Sequence, residues 1–343
     1  MKYNLKNISN SRSFLFGIAT LMILFFHSTI EIPSSNWFLK IIGFIKQFGN
    51  TGVDIFLFLS AVGLYFSLKK DSNVKNFYIK RIVRILPALL LVNLLWFAYK
   101  NDGGIKEYLL SVTGLSIFVT GDRTCWFFTL LIFLYFIYPL LYKLEEKYGS
   151  KIYLISIVLM IGINYVLSIS SPQFFRYIEI ATRRIPIFLI GCFCSKYIYN
   201  GLEVKNLFVF LMMILMIICI ILLYNIKLIP IWKQIWRYIV GIYAISIIVV
   251  ISYIFQYIKH KKFIEWIGTY SMESYLLFEK FLIIFKPIIK VQDDYNLLFN
   301  IITLIITIIG CIILKEITSK TLIINHLKGI KKLKEKYIKE KVK

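Results

Sequence analysis

Long apolar runs, separated by short charged or turn segments, are the feature that most constrains this chain. A membrane-spanning helix needs roughly 20 mainly apolar residues, and about ten runs approach that length. They lie at 14–31, 52–68, 82–99, 126–142, 152–170, 185–200, 206–224, 237–257, 263–285 and 297–318. Within a bilayer the backbone must satisfy its own hydrogen bonds, so each run is expected to be helical. The sequence therefore predicts an all-α, polytopic membrane protein with about ten transmembrane helices.

Composition supports the membrane class and excludes an ordinary soluble enzyme. Of the 343 residues, 59% are hydrophobic and only 17% are charged, whereas soluble domains carry about 25% charged residues. The net charge of +23 comes from basic residues placed between the apolar runs. That placement is typical of membrane topology signals, so no nucleic-acid partner is expected.

The distribution of lysine and arginine predicts the orientation. If the ten runs alternate across the membrane, the side that holds the N-terminus carries about twice as many basic residues as the other. Cytoplasmic segments are the more basic ones, so both termini are expected in the cytoplasm. We interpret residues 1–319 as one membrane domain and residues 320–343 as a basic cytoplasmic tail.

His27 is the first candidate for a catalytic role. It lies about 13 residues into the first apolar run and is one of three histidines. An ionisable group inside a membrane segment is expensive and is by default a functional hypothesis. A neutral imidazole can accept a proton from a hydroxyl near neutral pH. The alternative is a structural histidine that hydrogen-bonds to a neighbouring helix.

Arg81 and Arg84 form the second candidate site. Their spacing of three places both side chains on one helical face at the predicted cytoplasmic mouth of the third run. Paired guanidinium groups suit clustered phosphates, because each donates two parallel hydrogen bonds. The alternative is an anchor for lipid headgroups on the cytoplasmic side.

Six motifs, taken in order, resemble those of the acyltransferase-3 family of integral membrane acyltransferases. The first is the run from Gly17 to Ser28 that contains His27, and the third contains Arg81 and Arg84. The other four are Gly49 to Ser60; Trp126 with Tyr135 and Pro139; Arg184 to Gly191; and Ile267 to Leu277. Together they cover nearly the whole chain.

This resemblance implies transfer of an acyl group, usually acetyl from acetyl-CoA, to a hydroxyl of a polysaccharide or lipid-linked glycan. It assigns catalysis to His27 and acyl-CoA binding to Arg81 and Arg84, and we expect these three residues to line one continuous cavity. No metal is expected. Supporting roles are expected for Asp54, Ser60, Trp126, Arg184 and Tyr275. The expected location is the bacterial cytoplasmic membrane, as a multi-pass protein. The competing hypothesis is a polysaccharide transporter or export component built on the same fold.

The chain departs from the family pattern at three positions. Phe16 stands where many relatives carry an arginine, and Arg12, one turn earlier, is the candidate replacement. Ala61 stands where relatives often carry glycine, and Phe278 where they commonly carry histidine.

Two further groups of ionisable residues lie in or beside apolar runs. Asp54 is expected either to orient His27 or to cap a helix. Arg183 and Arg184 begin the sixth run on the predicted outer side, where they are candidates to contact an anionic or polar glycan.

Overall fold

The computed structural model describes residues 2–33, 35–100, 104–226, 232–289 and 296–320. Its first eight helices are α1 Lys6–Asn10, α2 Arg12–His27, α3 Trp37–Gln47, α4 Thr51–Lys70, α5 Val74–Lys100, α6 Gly104–Thr113, α7 Ser116–Val119 and α8 Trp126–Tyr148. The next eight are α9 Lys151–Ser170, α10 Pro172–Thr182, α11 Ile185–Tyr199, α12 Asn206–Tyr224, α13 Trp232–Ile254, α14 Lys262–Thr269, α15 Ser271–Ile289 and α16 Asn296–Lys320. A short 3₁₀ turn, Phe255–Tyr257, extends α13. Two three-residue strands, β1 Lys2–Asn4 and β2 Glu203–Lys205, pair antiparallel.

The prediction of a helical, multi-pass membrane protein is confirmed. Seven described helices are long and apolar enough to cross a membrane: α4, α5, α8, α9, α12, α13 with its 3₁₀ extension, and α16. Two other predicted spans, α2 and α11, are helices of 16 and 15 residues. The outer helices α9 and α12 expose apolar side chains over most of their length, as expected for surfaces that face lipid. The count of ten remains a prediction.

The ninth predicted span is not one continuous helix. It divides at Tyr270 into α14 and α15, and the Thr269 carbonyl at the break accepts a hydrogen bond of 3.0 Å from Lys315 Nζ on α16. A helix can break at membrane depth only where other groups satisfy the freed backbone. The break is therefore satisfied by Lys315, and Thr269 and Lys315 line the same cavity.

The two strands and the helix ends define one face of the bundle, which we call the N-terminal face. β1 pairs with β2, the segment between α11 and α12, so the chain start and that loop lie together. Arg12 and Lys315 line the same cavity, which brings the end of α16 to this face as well. Both ends of the described chain thus share one face. Residues 321–343, nearly all of the predicted tail, lie outside the described residues.

Helix α4 is the centre of the bundle. Every residue from Thr51 to Val62 is buried, and α2, α11 and α13 all pack against it. A helix that is apolar around its whole circumference is expected to be enclosed by other helices. Asp54 and Ser60 therefore lie in the interior of the protein, where a polar side chain needs a partner.

Glycines at helix crossings allow backbones to touch. A Cβ atom on Gly17 of α2 would overlap the Ile264 carbonyl oxygen of α14, and one on Gly268 would overlap the Ser13 carbonyl oxygen. Small residues at crossings are the usual device for close helix packing in membranes. This pair fixes α14 against the first half of α2.

The α2–α14 crossing generates a test of the fold. Gly17→Leu is expected to destabilise the protein by about 3 kcal/mol, because the side chain must push two backbones apart. Gly162→Leu in lipid-facing α9 is the matched control, since no atom lies within 4 Å of a Cβ there. Thermal unfolding in detergent measures both, and equal stability of the two variants would contradict the crossing.

Candidate functional site

A cavity of about 530 Å³ opens between α2, α4, α5, α8, α14, α15 and α16, and we call it the Arg81 cavity. Arg81 and Arg84 lie in the N-terminal half of α5. They are three residues apart, so both side chains face the cavity. The complete set of cationic lining residues is Arg12, Lys80, Arg81, Arg84 and Lys315. None of the described lining residues is acidic, so the cavity is strongly electropositive. Arg81 and Arg84 therefore lie in the lining of an electropositive cavity.

Arg12 joins this cavity from the start of α2. Its guanidinium lies 5.0 Å from the centre of the Phe16 ring, and a Cβ on Gly63 would overlap it. Gly63 on α4 thus leaves the room that the guanidinium occupies. Arg12 thus lies against Phe16, and its role as the replacement for the family arginine stays a prediction.

Ser60 and Tyr275 line the deeper end of the Arg81 cavity. Tyr275 lies on α15, with its ring 4.7 Å from that of Phe127 and 5.8 Å from that of Phe128. It also lies within electrostatic reach of Arg184. Tyr275 therefore stands between the Arg81 cavity and a buried charged cluster beyond it.

That cluster consists of Asp54, Arg184 and Arg237. Arg237 Nη2 donates a 2.7 Å hydrogen bond to Asp54 Oδ2, and Arg184 Nε lies 3.6 Å from Asp54 Oδ1. The Asp54 side chain is 1% exposed and both arginine side chains are 4% exposed. The Arg184 guanidinium also lies 4.6 Å from the Trp126 ring centre. The cluster ties α4, α11 and α13 together.

This geometry corrects the role expected of Asp54. Its described side-chain contacts are with Arg184 and Arg237, and none of them is with a helix-terminal amide or with His27. Its two oxygens are taken by arginines from α11 and α13. A carboxylate enclosed in a membrane protein is stabilised best by such charge-assisted partners.

A second cavity, of about 740 Å³, lies on the other side of the cluster, and we call it the Arg237 cavity. It is built by the end of α9, the length of α10 and the starts of α11 and α13, at the face opposite the N-terminal face. Its charged lining residues are Arg123, Arg176, Glu179, Arg183, Arg184 and Arg237. Arg184 and Arg237 belong both to this cavity and to the Asp54 cluster.

His27 does not line the Arg81 cavity among the described residues, which corrects the expectation of one continuous cavity. It is the last residue of α2, and Arg12 is the first. The 15 residues between them span about 22 Å of helix. His27 thus lies near the face that holds the Arg237 cavity.

Two features fix the surroundings of His27. Glu279 on α15 lies within electrostatic reach of both His27 and Tyr275. The chain just after His27 is fastened to α16: the Thr29 amide donates to Asn300 Oδ1 at 3.0 Å, and Asn296 Nδ2 donates to the Thr29 carbonyl at 2.7 Å. Tyr275 lines the Arg81 cavity, and Glu279, one turn further along α15, lies within electrostatic reach of His27.

With this geometry in place, comparison with known proteins identifies the class. The family model described as an acyltransferase domain, that of the acyltransferase-3 family, matches residues 17–316. The chain belongs to this family of membrane acyltransferases. No match was found among curated proteins or among solved structures.

Several residues of the site were not identified from the sequence. The sequence prediction assigns no site role to Arg237, Lys315 or Glu279. Arg237 and Asp54 are 183 positions apart, and helical periodicity relates only residues that are close in sequence. The one available signal was the presence of charges in or beside apolar runs.

The Asp54 cluster predicts a large loss of stability on removing its carboxylate. Asp54→Asn leaves two buried guanidinium groups without a counter-charge, and breaking a buried pair costs about 3–5 kcal/mol. Glu203→Gln is the matched control, because its ion pair with Lys2 is solvent-exposed and is worth about 1 kcal/mol or less. Thermal unfolding in detergent compares them, and similar stabilities would contradict a structural role for Asp54.

Proposed function

We propose that this protein is an O-acyltransferase that moves an acyl group, acetyl in the first instance, from acyl-CoA to a polysaccharide hydroxyl. The acceptor is a cell-envelope or secreted polysaccharide, or its lipid-linked precursor, and the enzyme works in a bacterial cytoplasmic membrane. The observation that carries this proposal is the Arg81 cavity, with five cationic side chains and no acidic one among its described lining residues. It occurs in a chain of the acyltransferase-3 family.

The Arg81 cavity suits the donor. Acyl-CoA carries several phosphate groups at one end and a thioester at the other, joined by a long flexible arm. Arg81, Arg84 and Arg12 offer guanidinium groups that donate paired hydrogen bonds to phosphate oxygens. The N-terminal face would then be cytoplasmic, where acyl-CoA is made, in agreement with the charge distribution.

The separation of His27 from the arginines defines what the donor must do. With the phosphates held at the N-terminal face, the arm extends past Ser60 and Tyr275 and carries the thioester toward Glu279 and His27. Extended binding of this kind uses remote contacts to position the reacting carbonyl.

His27 would act as the general base. Its imidazole takes the proton from the acceptor hydroxyl as the oxygen attacks the thioester carbonyl, and the C–S bond then breaks. The departing thiolate of CoA receives that proton, so the imidazole returns to its neutral form. Glu279, within electrostatic reach of His27, stabilises the imidazolium formed in between.

His27→Ala tests this role. Loss of the base is expected to lower acyl transfer by about a hundredfold to ten-thousandfold while acyl-CoA binding is retained, because His27 lies away from the Arg81 cavity. Acyl groups per polymer, measured after expression in cells that make the polysaccharide, give the readout. His260→Ala, which changes an exposed histidine, is the control. Normal acyl content with His27→Ala would contradict the enzyme and favour a transporter or export component.

Arg81→Gln combined with Arg84→Gln tests donor binding. Each lost charge-assisted hydrogen bond contributes about 1.5–3 kcal/mol, so the Kd for acetyl-CoA is expected to rise at least about tenfold. Titration of the purified protein with acetyl-CoA measures it. Lys70→Gln combined with Lys75→Gln removes two exposed charges from the same face, outside the cavity lining, and should leave the Kd unchanged. Equal losses in both double variants would return Arg81 and Arg84 to a general membrane anchor.

A further inference from the structure

The arginines of this chain are confined to the two cavities. The sequence holds eight arginines and 33 lysines, and every arginine lines either the Arg81 cavity or the Arg237 cavity. Among the described lysines, only Lys80 and Lys315 line either one. Lysine is sufficient for a topology signal, whereas arginine is preferred where oxyanions are bound by paired hydrogen bonds. Arginine is therefore used here where a ligand can enter.

The Arg237 cavity has more positive charge than its own carboxylates can balance. Five guanidinium groups line it. The described residues that pair with them include two carboxylates, Glu179 in the lining and Asp54 behind it. Among the described residues, the excess is three positive charges. No such excess is needed to hold helices together, because one carboxylate per arginine would do so more favourably.

Helix α10 presents a charged face to this cavity. Arg176, Glu179 and Arg183 follow one another at spacings of three and four, which places them on one side of the helix. Glu179 Oε1 lies 3.9 Å from Arg123 Nη2 and Glu179 Oε2 lies 3.8 Å from Arg183 Nη2, so one carboxylate serves two arginines. Arg176 is exposed at the rim of the cavity.

Arg237 provides an independent sign of a missing partner. Its Nη2 donates to Asp54, but its Nε and Nη1 are buried and have no hydrogen-bond partner. Buried donors left unpaired are costly and rare. A negatively charged oxygen that enters the cavity would supply the acceptor that this guanidinium lacks.

We propose that the Arg237 cavity binds an oxyanion carried by the acyl acceptor, a sugar phosphate or a uronate carboxylate. The acceptor is therefore an anionic glycan. This inference rests on the proposed function, which supplies the acceptor, and it adds the chemical class that the acceptor must have. Trp236 and Tyr165, which also line the cavity, offer ring faces for the apolar faces of the sugars.

The test is titration of the purified full-length protein, in an uncharged detergent, with three hexasaccharides. These are hexagalacturonate, maltohexaose with a terminal phosphate, and unmodified maltohexaose. At least one anionic sugar is expected to bind about tenfold more tightly than the neutral one, the factor that one charge-assisted hydrogen bond supplies, and high salt should remove the difference. Which of the two binds better distinguishes carboxylate from phosphate. Equal binding of all three overturns the inference.

Charge variants locate the binding. Arg176→Gln combined with Arg183→Gln should weaken binding of the preferred anionic hexasaccharide about tenfold and leave acetyl-CoA binding unchanged. Lys40→Gln combined with Lys106→Gln, at exposed positions of the same face but outside this lining, should change neither. Equal losses in both double variants would mean a general surface effect and would overturn the inference.

Two further outcomes separate this inference from its premises. If phosphatidylglycerol in nanodiscs blocks the anionic hexasaccharide in the unmodified protein, the cavity is a lipid-headgroup site and the inference is overturned. If acyl groups pass from acetyl-CoA to neutral and anionic hexasaccharides equally well, the inference fails while the proposed function stands. Loss of acetyl-CoA binding itself would be a failure of the proposed function, and it is measured separately.

Discussion

The rest of the structure depends on one buried carboxylate shared by two arginines. Asp54 on α4 accepts from Arg237 on α13 and pairs with Arg184 on α11, so three helices meet at one charge. Removing three ionised groups from water is unfavourable unless their mutual attraction and hydrogen bonds offset it. The cluster is thus stable only in this geometry, and its position sets the boundary between the Arg81 cavity and the Arg237 cavity.

Backbone contact at glycines makes that geometry possible. Gly17 and Gly268 bring α2 and α14 into contact, Gly52 brings α4 against Ala19 of α2, and Gly191 brings α11 against Phe58 of α4. All of these glycines belong to the motifs that carry the family resemblance. Their physical role is to let α2, α4, α11 and α14 approach closely enough for charged side chains to meet between them. The Arg81 cavity and the Arg237 cavity lie where arginine side chains, and not glycines, stand between the helices.

The helices and part of the site could be predicted from the sequence. Apolar runs specify helices because a bilayer permits little else, and Arg81 and Arg84 could be paired because their spacing of three is local. The break at Tyr270 could not be predicted, since the Thr269 carbonyl beside it is satisfied by Lys315, 46 positions away. Nor could the partner of Asp54, 183 positions away. Periodicity identifies which face of a helix is polar, but tertiary packing decides which other helix that face meets.

The same reasoning explains why His27 was expected beside the arginines and why it lies elsewhere. The family resemblance implies that His27 and the arginine pair act in the same reaction. Residues that act in one reaction are expected to line one cavity. Arg12 and His27, however, are the two ends of a single helix, so a straight α2 must hold them about 22 Å apart.

If donor phosphates bind at one end and the acceptor hydroxyl is activated at the other, donor and acceptor enter from opposite faces. They then meet near Tyr275 and Glu279, and only the acyl group need pass through the bundle. A donor with a long flexible arm would have to bridge this separation. An anionic acceptor, held at the opposite face by the Arg237 cavity, would need to present only a hydroxyl.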